Sequence, residues 1–246
     1  MTMREATRAE LLKLSSGFRA LAVLAVAVAL PYCAWNFGGK GAISGAVDPA
    51  AATKAMLAYL VACPVAATYA GCFIVTRDYY YQSIERAVLI NRKDHVFTGK
   101  LITGAVVGLV VGLVGAAGWS TFTAVVLSQR DQVFDLGDDT GQALLGCMIA
   151  SVLAGAIGVS IGWMLPNYYI ATTVSMMLPF TVELPLFDTA PEIARLLPYS
   201  ALAGVMHGNW YFPKLFGAWL SALIVLLWLA LAVFTGWRVF ERRELT

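Results

Sequence analysis

The stretch 76-TRDYYYQSIERAVLINRKDHVFTGK-100 decides how this chain is read. It holds eight charged residues in a sequence that is only 13% charged, and it stands between two long apolar runs. With 246 residues, 59% of them hydrophobic, and a mean hydropathy of +0.73, the chain carries more apolar surface than a soluble domain of its size can bury. The composition is that of an integral membrane protein, and the charged stretch is a loop between two of its spans.

A bilayer core takes about 20 apolar residues in helical form. Uncharged runs occur at 20–39, 55–76, 101–129, 140–182 and 215–237. The fourth is long enough for two helices, and Pro166-Asn167 breaks it, because proline disfavours helix in the residue before it. The expected fold is therefore all-α, a single transmembrane domain over 1–246 with six spans near 18–38, 55–76, 101–127, 141–165, 168–187 and 214–237. The apolar run of the first span is long for a signal-peptide core, and Leu30-Pro31-Tyr32-Cys33 has the wrong residues for a lipoprotein cleavage site.

Basic residues set the orientation, since short cytoplasmic loops retain them. With the N-terminus inside, 12 of the 17 lysines and arginines fall on the cytosolic side, among them Arg4, Arg8, Lys13, Arg77, Arg86, Arg92, Lys93, Lys100, Arg242 and Arg243. Both termini are expected in the cytosol. Lys40, Lys54, Arg130, Arg195 and Lys214 remain outside.

Several chemistries find little support. Cys33, Cys63, Cys72 and Cys147 lie in expected spans with no C-x-x-C pair, which suggests neither a disulfide framework nor a zinc site. His95 and His207 lack metal-ligand spacing, and a net charge of +2 placed by topology is no nucleic-acid footprint. Gly158-Val159-Ser160-Ile161-Gly162 matches the G-x-S-x-G pattern of serine hydrolases, but inside a helix and not at a strand-to-helix turn. An intramembrane serine protease using Ser160 is a remote alternative, because both histidines fall in loops. Glycines at 104, 108, 112, 115 and 118, and at 155, 158 and 162, let helix backbones approach closely, either within the chain or at a dimer seam.

Within the charged loop, Tyr80, Ile84, Ala87 and Val88 fall at helical spacing on one side, while Asp78, Gln82, Glu85 and Arg86 gather on another. That spacing predicts a helix over 79–89 lying along the membrane surface. A polar turn, Asn91-Arg92-Lys93-Asp94, follows, and Lys100 stands at the mouth of the next span.

The order of these features resembles the ABC-2 family of ABC transporter permeases. Asp78, Gln82-Ser83-Ile84, Arg86, Leu89, Arg92-Lys93 and Lys100 occupy the places of that family's coupling-loop pattern, with Asp78 where Glu is usual and Gln82-Ser83 where Gly-Thr is common. Residues 4–13 (REATRAELLK) resemble its N-terminal interfacial helix. Leu184-Pro185-Leu186-Phe187, Pro191-Glu192-Ile193 and Leu196-Leu197-Pro198-Tyr199 resemble its short outer-leaflet helices between spans five and six.

The resemblance implies a permease subunit of an ATP-driven exporter in a bacterial cytoplasmic membrane, carrying a drug, peptide antibiotic or lipid-like compound. Asp78, Tyr79, Tyr80, Ile84, Glu85, Arg86 and Leu89 would couple it to the ATPase. No P-loop is present, since Gly39-Lys40 and Gly99-Lys100 are followed by Gly41 and Leu101 and not by Ser or Thr. ATP and magnesium would belong to a separate ATPase, present in two copies beside a second permease copy, all within membrane lipid.

The fifth span adds Glu183 between Pro179 and Pro185, and an ionisable residue in a span is a functional candidate by default. Glu183 is read either as an interfacial carboxylate or as a substrate contact. Met176, Met177 and Phe180, with Tyr69 and Phe73 on the second span, are candidates to line an adaptable apolar path. A secondary carrier driven by ions or protons is the main alternative, resting on this one carboxylate where paired broken helices would be expected.

Overall fold

The computed structural model describes residues 3–15, 19–38, 48–208 and 213–243, and every regular element among them is helical. Five helices are long and apolar enough to cross a membrane: Pro49–Tyr80, Lys93–Ser128, Asp138–Met164, Tyr168–Thr189 and Ala218–Arg242. The chain is a multi-pass membrane protein. The first expected span, near 18–38, is a helix, Arg19–Gly38, whose apolar stretch Leu21–Phe37 is shorter than the other five. Most of the loop expected after it lies outside the described residues.

In chain order the helices are α1 (Met3–Ser15), α2 (Arg19–Gly38), α3 (Pro49–Leu57), α4 (Ala62–Tyr80), α5 (Ile84–Ile90), α6 (Lys93–Ser128) and α7 (Asp138–Met164). Then come α8 (Tyr168–Leu178), α9 (Leu184–Thr189), α10 (Pro191–Ala194), α11 (Pro198–Val205) and α12 (Ala218–Arg242). A 3-10 turn, Ala58–Val61, joins α3 to α4. It comes just before Pro64, which has no N–H to give Leu60 and whose ring crowds that carbonyl.

The spans overrun their apolar cores, so sequence boundaries drawn at the first charge fall short. α4 runs on to Tyr80 and α6 starts at Lys93, eight residues before the boundary expected at 101. Lys100 therefore lies two turns inside α6, where the mouth of the span was expected.

α4, α6 and α7 form the centre, and glycines set their spacing. A β-carbon on Gly71 would run into the Gly155 carbonyl, one on Gly158 into the Thr68 carbonyl, and one on Gly108 into the Ser151 carbonyl. The glycine rows thus serve contacts within the chain. Several buried hydroxyls on these helices are satisfied locally, although those of Ser120, Thr123 and Ser151 have no partner among the described residues. Thr68 donates to Pro64 O at 2.9 Å, Thr76 to Cys72 O at 3.0 Å and Thr103 to Gly99 O at 2.8 Å.

α12 leaves most of its apolar face uncovered, with Leu223, Leu227, Leu231 and Phe234 exposed. That face suits acyl chains. Near the other terminus, α1 packs on α6, and the C-terminal end of α12 reaches the same end of the bundle: Arg243 donates to Met164 O at 3.2 Å and Lys93 to Arg243 O at 3.5 Å.

Candidate functional site

At the α1 end, one short helix projects from the bundle and a buried ion cluster anchors the helices on either side of it. α4 does not run into α5. Gln82 takes a left-handed backbone (φ 53°), Ser83 N donates to Asp78 O at 2.9 Å and Gln82 N to Tyr79 O at 3.1 Å. That is a Schellman ending, with glutamine in the place glycine usually holds. α5 then spans only seven residues, Ile84–Ile90.

This corrects the helix expected over 79–89. Tyr79 and Tyr80 end α4, Gln82 forms the turn, and Asp78 is 2% exposed inside the bundle. The polar face expected from Asp78, Gln82, Glu85 and Arg86 is not formed, because a left-handed residue breaks the helical phase between them. Ile84 is buried and ties α5 down beside Val96 and Phe97 of α6. Glu85 is half-buried and Arg86 exposed. Leu89 and Ile90 point outward, 87% and 67% exposed.

Beneath this helix, Lys100 is fully buried. Its ammonium lies 2.5 Å from Asp78 Oδ2 and 2.9 Å from Glu10 Oε2, and donates to Ile74 O at 3.3 Å. Lys13 pairs with Glu10 at 2.8 Å and stands 3.7 Å from Asp78, and Arg77 also stands 3.7 Å from Asp78. α1, α4 and α6 are thereby joined through charges of which Glu10, Arg77, Asp78 and Lys100 are buried and Lys13 is exposed. Such a cluster holds only while every member keeps its partner, because stranding one charge costs several kcal/mol.

An aromatic block continues the linkage to the C-terminal half. The Tyr79 ring stands edge-on to Trp163 at 6.0 Å, Trp163 meets Phe240 at 4.2 Å, and Phe97 stacks on Trp163 at 5.6 Å. α5 touches α6 through Ile84, and the rings of Phe97 and Tyr79 link α6 and α4 to α7 and α12.

The sequence reading gave Glu10 no role of its own, took Lys13 as a marker of topology and placed Lys100 in the coupling-loop pattern, without pairing any of the three. The available signal was opposite charge at facing ends of adjacent spans, Asp78 closing one and Lys100 opening the next.

At the opposite end, Glu183 is 2% exposed. Pro179 and Pro185 do not stop the helix. Between them it widens into a π-turn, Pro179–Glu183, closed by Leu184 N donating to Pro179 O. The extra residue rotates Glu183 inward while Val182 and Leu184 stay exposed. Its carboxylate accepts from Tyr199 N at 3.1 Å, Ser200 N at 2.7 Å and Ser200 Oγ at 2.7 Å. These amides open α11 directly after Pro198 and have no partner within their own helix. Glu183 is thus the remote cap of α11.

A cavity of about 360 Å³ adjoins this cap, lined by Val61, Val65, Phe180, Glu183, Phe187 and Tyr199 among others. Of the expected path residues, Phe180 and Glu183 meet here. Tyr69 and Phe73 gather instead around Tyr168: Tyr69 and Tyr168 share a hydroxyl contact at 3.5 Å, and Phe73 lies 6.0 Å from the Tyr168 ring. Met176 is half-buried and Met177 exposed, and neither lines that cavity. Ser160 is buried and donates to Ala156 O at 3.1 Å within its own helix. Among the described residues no group of three or more His, Cys, Asp or Glu is placed to hold a metal ion. No protein-family model matches this chain, and no curated protein matches it.

Proposed function

We propose that this chain is the membrane-spanning permease subunit of an ATP-driven transporter of the ABC-2 type, driven by a separate ATPase. One observation carries this reading. α5 holds Leu89 and Ile90 out from the bundle, while the helices before and after it are clamped together by Lys100, Asp78 and Glu10. An exposed apolar pair on a seven-residue helix is a poor solvent surface and a good knob for a partner's pocket. A knob braced on buried charges transmits force, where a loose loop would absorb it.

On this reading the α1 end faces the cytosol, α2 is the first of six spans, and two ATPase subunits act on two permease copies. ATP-driven closure of the ATPase pair shifts an equilibrium between two arrangements of the spans, because it binds one arrangement better than the other. The cargo is a hydrophobic or amphipathic compound, exported past the apolar cavity at Phe180. The ion-coupled carrier, which rested on Glu183 alone, is the less favoured reading, because that carboxylate is engaged in capping α11.

The test is an affinity pull-down of the tagged chain from native membranes in mild detergent, with mass spectrometry and an ATPase assay on the eluate. A stoichiometric P-loop partner with vanadate-sensitive hydrolysis is expected. A chain that purifies without such a partner would sink the proposal.

A further inference from the structure

A second cavity, about 290 Å³, opens between α1, α5 and the first turns of α6, and its polar lining is Glu10, Lys13, Ser83, Arg86, Asn91 and His95. Its charge is unbalanced. Among the described residues its charged lining sets Lys13 and Arg86 against Glu10 alone, and Glu10 is already held by Lys13 and Lys100. Asp94, beside His95, is taken by Arg92 at 3.1 Å, and Glu85 does not line the cavity. Arg86 makes no hydrogen bond or ion pair among the described residues.

Asn91 supplies a second and independent sign. Its amide nitrogen donates to Ala87 O at 3.3 Å, but its Oδ1 is buried without a partner. A buried acceptor of this kind calls for a donor. The cavity thus offers cations for an anion and, close by, an acceptor for a hydroxyl or ammonium. Ile90, one of its lining residues, is exposed, which brings apolar surface to the mouth.

We propose that this cavity binds a phosphate group, that of a phospholipid headgroup in the leaflet against which α1 lies. The phosphodiester oxygens are met by Arg86 and His95, and the headgroup hydroxyl or ammonium gives Asn91 Oδ1 its donor. Arginine suits the task because its fork matches two phosphate oxygens at once. The site shares α5, and Ile90 at its mouth, with the ATPase contact proposed above, but its test uses the purified chain without a partner, so either reading can fail alone.

The experiment is native mass spectrometry of the purified chain after exchange into mixed micelles of phosphatidylglycerol and phosphatidylcholine, with a parallel arm in inorganic phosphate alone. Phosphatidylglycerol should be retained in preference to phosphatidylcholine. Arg86→Gln should weaken retention about fivefold, as loss of one near-surface cation implies, and adding His95→Gln should weaken it further. Arg86→Lys should keep most of it, and Arg238→Gln, remote from the cavity, should change nothing.

Retention that ignores Arg86→Gln with His95→Gln, or that does not distinguish the two lipids, would overturn the proposal. Inorganic phosphate that binds with the same variant dependence while no lipid is retained would uphold the phosphate chemistry and overturn the lipid as its source. Arg86 is exposed, so an unchanged gel-filtration profile separates lost binding from lost folding.

Discussion

Lys100 Nζ lies 2.5 Å from Asp78 Oδ2, so a residue two turns inside α6 is bonded to one near the end of α4, across the whole of α5. Glu10 completes the clamp from α1 at 2.9 Å. Lys100→Met leaves two carboxylates buried without their shared cation. It is expected to lower stability by about 3–5 kcal/mol, the cost of breaking a buried pair from one side. Unfolding in mixed micelles reads this directly, and Lys100→Met combined with Asp78→Leu should cost less than the two single changes added together. Strict additivity would mean that the two side chains do not interact.

Glu183 gives a prediction of a different kind, because two of its three hydrogen bonds come from backbone amides and the third from the Ser200 hydroxyl. Glu183→Gln turns an acceptor-only group into one with two donors, so one of the three hydrogen bonds to Tyr199 and Ser200 must be lost. A loss of about 1–3 kcal/mol is expected, with faster proteolysis or hydrogen exchange confined to α11. Asp188→Asn, at an exposed position on the same cavity, should leave stability unchanged. A substrate contact with no structural part would show the reverse, wild-type stability in Glu183→Gln.

The glycine contacts predict opposite signs within one helix. In α7, Gly158 faces the Thr68 carbonyl, whereas nothing lies within 4 Å of a β-carbon added at Gly141. Gly158→Ala should therefore destabilise by about 1–3 kcal/mol, since backbone and not a flexible side chain must move. Gly141→Ala should stabilise by about 0.5–1 kcal/mol through helix propensity. The same micelle titration checks both.

Long apolar runs made the membrane class and the helical architecture legible from sequence, because hydrocarbon leaves the backbone few other choices. Boundaries were less legible. Charged residues that read as loop, Arg77, Asp78 and Lys100, are helical and paired with one another in the bundle. The break before α5 carries no glycine or proline, so Gln82 gave no warning of a left-handed turn. Glu183 was visible as an oddity, yet two of its three partners are main-chain amides 16 and 17 residues away, which no side-chain pattern encodes. Glu10 looked like one charge on a weakly amphipathic helix, and only the docking of α1 on α6 gives it meaning.

The central claim is that α5 is the contact through which a separate ATPase acts. A photo-crosslinking amino acid at Leu89, 87% exposed, can be activated in native membranes and the adducts identified by mass spectrometry. The account predicts one dominant adduct, a P-loop ATPase, whose yield changes with ATP and vanadate, and no such adduct from the same probe at Leu227 on the bare face of α12. Lipid alone at both positions, or a protein without a nucleotide-binding motif at Leu89, would contradict it.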